Sequence, residues 1–319
     1  MNADFTGQRV LILGGAGFIG QHLCRTLLLA GADVRCFDRG QPGPNSIARN
    51  VGREAEWITG EFSNAQALRD AVRDADYVVH LISTTIPETS NRDLQADLSQ
   101  NVISTLNLLD AIRNTGVKKI IFASSGGTVY GVPKTIPIPE NHDLNPICGY
   151  GIHKLSIEKY LFLYQYNFGI DYCALRLANP YGVAQISDRS QGAIGRFVYK
   201  AVMGEGIEIW GDGSVIRDYL CVEDIVDAFL LAMRYEGSER VFNVGSGNGH
   251  SLTDILGSIE TSLGHSLRVD FLPARHVDVP LNVLDVSRIK REMGWSAKID
   301  LPSGIGRMVA YGLEMRNSL

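Results

Sequence analysis

Tyr150 and Lys154 stand four residues apart in the segment YGIHK, a spacing that puts both side chains on one face of a helix. A free phenol titrates near ~10, so work as a base near neutrality needs a depression of about three units, roughly 4 kcal/mol. A lysine ammonium one turn away, together with a positively charged ring beside the phenol, would supply that shift. The same spacing arises by chance on amphipathic helices, so the pair takes its meaning from its surroundings. His153, between the two, reads as an exposed helix residue rather than a base.

Upstream, GGAGFIG at 14–20 follows RVLIL directly and opens a helical stretch. Gly14, Gly17 and Gly20 are spaced as GxxGxxG. Gly14 allows a tight turn, Gly17 lets backbone approach a pyrophosphate, and Gly20 lets the helix lie close to the sheet, with the helix N-terminus facing the anion. Asp38 ends the next strand, 18 residues after Gly20. A carboxylate there accepts from the adenosine ribose hydroxyls and repels a 2′-phosphate, which favours NAD; Arg39 beside it is able to accommodate that phosphate. Glu61, in TGEF, either meets the adenine amine or is a solvated loop acid.

The elements that must hold these groups follow from periodicity. Strand candidates are 9–13, 33–37, 56–59, 76–81, 119–123 and 171–176, with helical stretches at 18–30, 64–73, 94–115 and 150–168. Apolar strands separated by helices imply parallel βαβ units and a sheet buried on both faces. Beyond about residue 177, loops at 182–193 and 211–217 interrupt shorter elements, and the apolar run 240–245 reads as a strand returning to the first sheet. The fold expected is α/β, a doubly wound parallel sheet with a smaller α/β C-terminal substrate lobe. The first domain takes 1–178 plus about 214–246, and the lobe takes 179–213 plus 247–319.

The 319 residues are 45% apolar and 20% charged, which suits an ordinary soluble globular protein with a sizeable core. A net charge of −5 without a Lys/Arg block argues against nucleic acid as a partner. Five scattered cysteines without CxxC spacing read as reduced thiols in a cytoplasmic protein, with neither disulfide frame nor metal site. The first residues carry no signal-peptide pattern, and no apolar run is long enough to span a membrane.

GGAGFIG, Asp38, HLIS at 80–83, Asn101, SSGGTVYG at 124–131, YGIHK and LRLANPYG occur in one order along nearly the whole chain, followed by GDGSVIRDYLCVEDIVDA, FNVGSG and PARHVDVP. That combination resembles the extended short-chain dehydrogenase/reductases of the NAD-dependent nucleotide-sugar epimerase/dehydratase group, UDP-glucose 4-epimerases among them. The resemblance implies a Rossmann domain and a coenzyme site of Gly14, Gly17, Phe18, Ile19, Gly20, Asp38, Arg39, Glu61, Phe62, Leu81, Ile82, Ser83, Asn101, Ser124, Tyr150 and Lys154. It implies a sugar-nucleotide site, UDP- or dTDP-linked, of Thr85, Asn179, Gln191, Trp210, Arg217, Arg275 and Asp278. An arginine fork matches phosphate geometry, which independently favours Arg217 and Arg275. Trp210 packs against the base or belongs to the core of the lobe. An amide at Asn282, where relatives gate bulky C2 groups, leaves room for an N-acetyl group.

In the family a Ser or Thr four residues before the turn tyrosine bonds the reacting sugar hydroxyl. Counting back from Tyr130 lands on Gly126, which has no side chain. Ser125 or Thr128 supplies the hydroxyl instead, Thr128 being the better substitute if the backbone bulges, or the site runs without one; Ser124 and Ser125 also read as polar capping of a strand end. The dehydratases carry an Asp-Glu pair right after that Ser/Thr, whereas here Gly127 and Thr128 stand there, so elimination is disfavoured, and the decarboxylases lose ground for the same reason. What remains is hydride chemistry at C4. An epimerase oxidises the sugar to a 4-keto form, turns it and reduces its other face; a reductase of 4-keto-6-deoxy sugars uses the same groups with exchangeable NAD(P)H. A non-catalytic dinucleotide sensor is the remote third reading. In relatives the helices near 94–115 and 150–168 pair across a dimer, so a homodimer is expected, although Leu106, Leu109, Leu161, Phe162 and Tyr166 equally suit packing on the protein's own sheet.

Overall fold

The computed structural model describes residues 4–43, 46–48, 54–186, 192–273 and 279–317. In chain order the elements begin β1 (Arg9–Leu13), α1 (Phe18–Leu29), β2 (Asp33–Asp38), β3 (Glu56–Thr59), α2 (Ala65–Ala71) and β4 (Tyr77–His80). There follow two single-turn helices, α3 (Pro87–Ser90) and α4 (Leu94–Asp97), a π-helical turn over Leu98–Ile103, α5 (Ser104–Ile112), β5 (Lys119–Ser125), α6 (Gly149–Phe168) and β6 (Tyr172–Leu177). The remainder runs β7 (Asn179–Tyr181), α7 (Ala193–Met203), β8 (Ile207–Trp210), β9 (Ile216–Cys221), α8 (Val222–Arg234), β10 (Val241–Val244), β11 (Gly249–Ser251), α9 (Leu252–Leu263), β12 (Val269–Leu272), β13 (Leu281–Asn282), α10 (Ser287–Met293) and α11 (Leu301–Asn317).

Two compact units share the chain. One comprises 1–132, 143–176 and 226–242, the other 133–142, 177–225 and 243–319. The first is built on a seven-stranded sheet ordered β10-β6-β5-β4-β1-β2-β3. Its β1–β2, β1–β4, β2–β3 and β4–β5 ladders are parallel. The strand order reverses between β1 and β4, and in doubly wound sheets the crevice beyond the carboxyl ends of such a pair receives the ligand. Burial explains why these strands read as unbroken apolar runs: Val10, Leu11, Ile12 and Leu13 of β1 and Ile120, Ile121 and Phe122 of β5 are all closed from solvent. The strand expected at 240–245 forms as β10 and completes the sheet beside β6.

The second unit has a small sheet, β11-β9-β13, with β7 paired to β9, and a separate parallel pair, β12 with β8. Its core gathers Ile194, Val198, Ile209, Ile255, Ile259, Ile305 and Met308 from β8 and the helices α7, α9 and α11.

Candidate active site

The loop after β1 has the geometry that its glycines promised. Gly14 sits at φ +93°, and a Cβ on Gly20 would lie 2.1 Å from the Gly14 carbonyl oxygen. Any side chain at 20 would therefore push α1 off the loop. Gly17 caps α1 without a side-chain hydrogen bond, and the first turn holds no acid, so its N–H groups remain suited to an anion. Asp38, at the end of β2, accepts from Ala16 N at 3.0 Å and Arg39 N at 2.8 Å, so its carboxylate is fixed beside the loop. Across the crevice, the position a Cβ would take on Gly14 lies 3.3 Å from Ile82 N and from Leu81 Cβ. Phe18 and Ile19 form the first turn of α1. These groups fit a dinucleotide. Phe62 departs from expectation: its ring turns into the core against His80, centroids 5.0 Å apart, because an apolar side chain next to β4 gains more by burial than at a loop surface. Glu61 and Arg39 keep exposed side chains.

The helix α6 carries Tyr150 and Lys154 to the carboxyl end of β5, and its approach depends on missing side chains. A Cβ on Gly151 would lie 2.8 Å from the Thr128 carbonyl oxygen, and one on Gly149 would lie 2.9 Å from Leu94. Lys154 is buried; its Nζ donates to Ala123 O at 2.8 Å and stands 5.5 Å from the centre of the Tyr150 ring. Burial pulls the lysine down to about 7, with Asp97 and Glu158 opposing. Burial, seconded by Cys148, pushes the Tyr150 phenol up to about 12, so the chain's own groups do not acidify it and the positive ring expected beside it would have to. Desolvation disfavours the charged form of both Tyr150 and Lys154.

His153 is also corrected. It is buried, not exposed, and Nδ1 lies 2.9 Å from Asp97 Oδ2. Its Nε2 is 3.5 Å from Ser83 Oγ, just beyond β4. Burial lowers the imidazole to about 4, with Lys154 adding to the effect and Asp97 resisting it. Asp97 is buried as well and accepts from Thr85 Oγ1 and from Asn101 Nδ2. Asn101 lies in the π-helical turn, donates to Asp97 O at 2.9 Å and accepts from Thr84 N at 2.9 Å. Such turns insert one residue into a helix and recur at functional sites. Asp97 and His153 are 56 positions apart, and the only hint in the sequence is an imidazole where the helix repeat turns inward.

The turn after β5 sorts its hydroxyls. Ser124 is buried and donates to Glu158, which pairs with Arg176 at 2.7 Å; Arg176 in turn donates to Tyr130 OH at 3.0 Å. This serine anchors strand to helix. Ser125 is half-buried, whereas Thr128 Oγ1 is buried and, among the described residues, has no hydrogen-bond partner.

In the second unit, Asn179 Nδ2 donates to Asp218 O at 3.0 Å, and Arg217 Nη1 donates to Ile216 O at 2.9 Å. Trp210 is exposed at the end of β8, so a place in the core of this unit is excluded for it. Asn282 is buried on β13, in register with Arg217 of β9. Gln191, Arg275 and Asp278 lie outside the described residues. Among the described residues no cluster of His, Cys, Asp or Glu has the makings of a metal site, and no helix is long and apolar enough to cross a membrane.

Comparison with known proteins converges on the same chemistry. The profile of the NAD dependent epimerase/dehydratase family matches residues 10–245. A putative UDP-glucose 4-epimerase of Methanocaldococcus jannaschii is 32% identical over 304 residues, 95% of this chain and 97% of the relative. The dTDP-4-dehydro-6-deoxyglucose reductase of Escherichia coli is 32% identical over 312 residues, 96% of this chain and 98% of that one. The crystal structure of the UDP-glucose 4-epimerase of Thermotoga maritima with UDP-glucose superposes with a TM-score of 0.89 at 33% identity, covering 98% of this chain and 99% of the other.

Proposed function

The chain belongs to the NAD dependent epimerase/dehydratase family, and from that premise we propose that it is a 4-epimerase of a nucleotide-diphosphate sugar, UDP-glucose and UDP-galactose or their N-acetylated forms. The observation that supports the proposal is α6: it sets Tyr150 beside the buried Lys154 at the carboxyl end of β5, with His153 of the same helix 3.5 Å from Ser83 just beyond β4, in a sheet whose β1 ends in a glycine cradle fitted to a dinucleotide. NAD, held by Gly14, Gly17, Phe18, Ile19, Gly20, Asp38, Leu81, Ile82, Ser83 and Asn101, would supply the reversible hydride transfer at C4. Once the charge of the bound ligands has driven off its own proton, Tyr150 as phenolate takes the proton of the C4 hydroxyl and gives it back when the 4-keto sugar is reduced. Lys154 lies beside Tyr150 and adds positive charge whenever it is protonated. Ser125, half-buried in the turn after β5, bonds the same sugar oxygen in place of the side chain missing at Gly126. Between the two proton transfers the 4-keto sugar presents its other face, so the nucleotide must be gripped and the sugar left free to turn. Arg217, Asn179, Trp210 and the segment with Arg275 and Asp278 are assigned to that grip, and Thr85 and Gln191 to the sugar side.

The test is direct. Dinucleotide released by heating the purified protein is identified, and UDP-galactose or UDP-N-acetylgalactosamine is supplied without coenzyme; conversion to the gluco epimer is expected. The relative from Escherichia coli supports a second reading, reduction of a dTDP-4-keto-6-deoxy sugar. Stoichiometric consumption of NAD(P)H with that substrate, and no epimerisation, would favour it. We also read the chain as a cytoplasmic homodimer: all five cysteines are free, and α6 exposes Phe162, Leu163 and Tyr166.

A further inference from the structure

The carboxylate of Asp97 is filled on both oxygens, Oδ1 by Thr85 and Asn101, Oδ2 by His153 Nδ1. With Nδ1–H committed to that carboxylate, Nε2 of the neutral ring can only accept. It faces Ser83 Oγ, 3.5 Å away at the carboxyl end of β4. Ser83 has a single proton and two protein acceptors for it, Nε2 and the Thr85 carbonyl oxygen at 3.0 Å. Either choice turns the hydrogen toward the protein. The oxygen then offers only lone pairs to the crevice where the strand order reverses, 3 residues along from His80. On the other side of His153, the Tyr150 ring stands edge-on, with centroids 5.0 Å apart and an interplanar angle of 68°.

We propose that Asp97 and His153 are a positioning pair: Asp97 locks the imidazole in one tautomer, and its bare Nε2, a second acceptor beside the Thr85 carbonyl, helps hold the Ser83 proton on the protein so that Ser83 Oγ accepts from a hydroxyl or carboxamide donor of the bound dinucleotide. This rests on the dinucleotide site described above and assigns a task to two buried residues that the hydride and proton chemistry does not use. Sequence distance conceals the pair, and its logic is that of a second-layer carboxylate orienting a histidine.

The pair is read on coenzyme binding, by NADH fluorescence titration of the purified protein. In H153N the amide keeps a donor near the Nδ1 position but loses the acceptor facing Ser83; in H153Q an amide oxygen reaches the Nε2 position. S83A is expected to weaken NADH about fivefold, the scale of one lost hydrogen bond, and H153N, in which the Thr85 carbonyl still accepts the Ser83 proton, about threefold. S83A/H153N should lose no more than S83A alone, and H153Q should bind as wild type does. Should H153N fail to fold, as judged by its melting temperature, D97N is the second route and is expected to match the threefold loss. Additive losses in the double variant, or equal losses in H153Q and H153N, would overturn the positioning role, as would an unchanged H153N. The titration needs no turnover, so a wild-type protein that binds NADH yet epimerises nothing would refute the proposed activity and leave this inference to its own result.

Discussion

Tyr150 and Lys154 both lose hydration in the crevice, and each is driven toward its neutral form, the phenol up to about 12 and the amine down to about 7. Proton transfer at the sugar hydroxyl must therefore be drawn out of Tyr150 by charge that arrives with the bound ligands. Tyr150→Phe should lower kcat by roughly 10²–10⁴ in the epimerase assay while the protein still co-purifies with its dinucleotide. A variant turning over as fast as wild type would remove the phenol from the chemistry. The neighbouring turn offers a sharper comparison, because Ser125 is half-buried and Thr128 Oγ1 is buried without a partner among the described residues. Ser125→Ala should cost kcat about tenfold or more. Thr128→Val, which removes an unsatisfied buried hydroxyl, should leave kcat alone and raise stability by about 1 kcal/mol in urea titrations. His153 adds a pH dependence. Its folded value of about 4 lies below the ordinary 6.5, so between those limits the unfolded chain binds a proton that the native protein refuses. Stability held above pH 6.5 is then lost as the pH falls toward 4, by at most about 3 kcal/mol. The drop in urea midpoint between pH 7 and pH 4.5 should be smaller in His153→Asn than in wild type.

Among the elements, α6 is tied to β5 and β6 through one buried carboxylate: Glu158 accepts from Ser124 and from two nitrogens of Arg176. Glu158→Ala would strand a guanidinium in the core and should cost about 3–5 kcal/mol, measured as a shift in urea midpoint. If the variant melts like wild type, the tie is dispensable. The strands were legible for a simple reason. A strand buried on both faces has to be apolar throughout, as β1 is from Val10 to Leu13, and β1 begins and ends where its side chains said it would; the edge strand β3, half-buried at Trp57 and Ile58 alone, also keeps its expected bounds. The Gly14–Gly20 turn was equally legible, since only missing side chains permit the approach of Gly20 to the Gly14 carbonyl. The helix expected over 94–115 runs over 94–112, but the π-helical turn inside it, at Leu98–Ile103, was not legible, and that turn shifts the face presented by everything before it. Asp97 reaches His153 from that shifted stretch, which is why the buried pair escaped the sequence. His153 itself looked polar and exposed, and only a carboxylate from another helix makes its burial tolerable.

At the scale of the molecule, α6 leaves Phe162, Leu163 and Tyr166 open to solvent, the last 80% exposed, while Leu109 of α5 and Leu161 of α6 turn inward. The apolar residues of these two helices thus divide between the sheet and the surface. Three large side chains on one stretch of helix are more than solvent alone favours. Phe162→Glu combined with Tyr166→Lys should convert a dimer to a monomer in light scattering behind size-exclusion chromatography; a dimer that persists would place the contact elsewhere. The two units take turns along the chain, and the last strand of the seven-stranded sheet, β10, spans Val241–Val244. During synthesis β6 therefore waits with a bare edge for some sixty further residues to leave the ribosome. A gene cut between β6 and that strand would encode six of the seven strands with an adhesive flank, so deletion mapping of this enzyme by truncation is a poor guide to which part binds what.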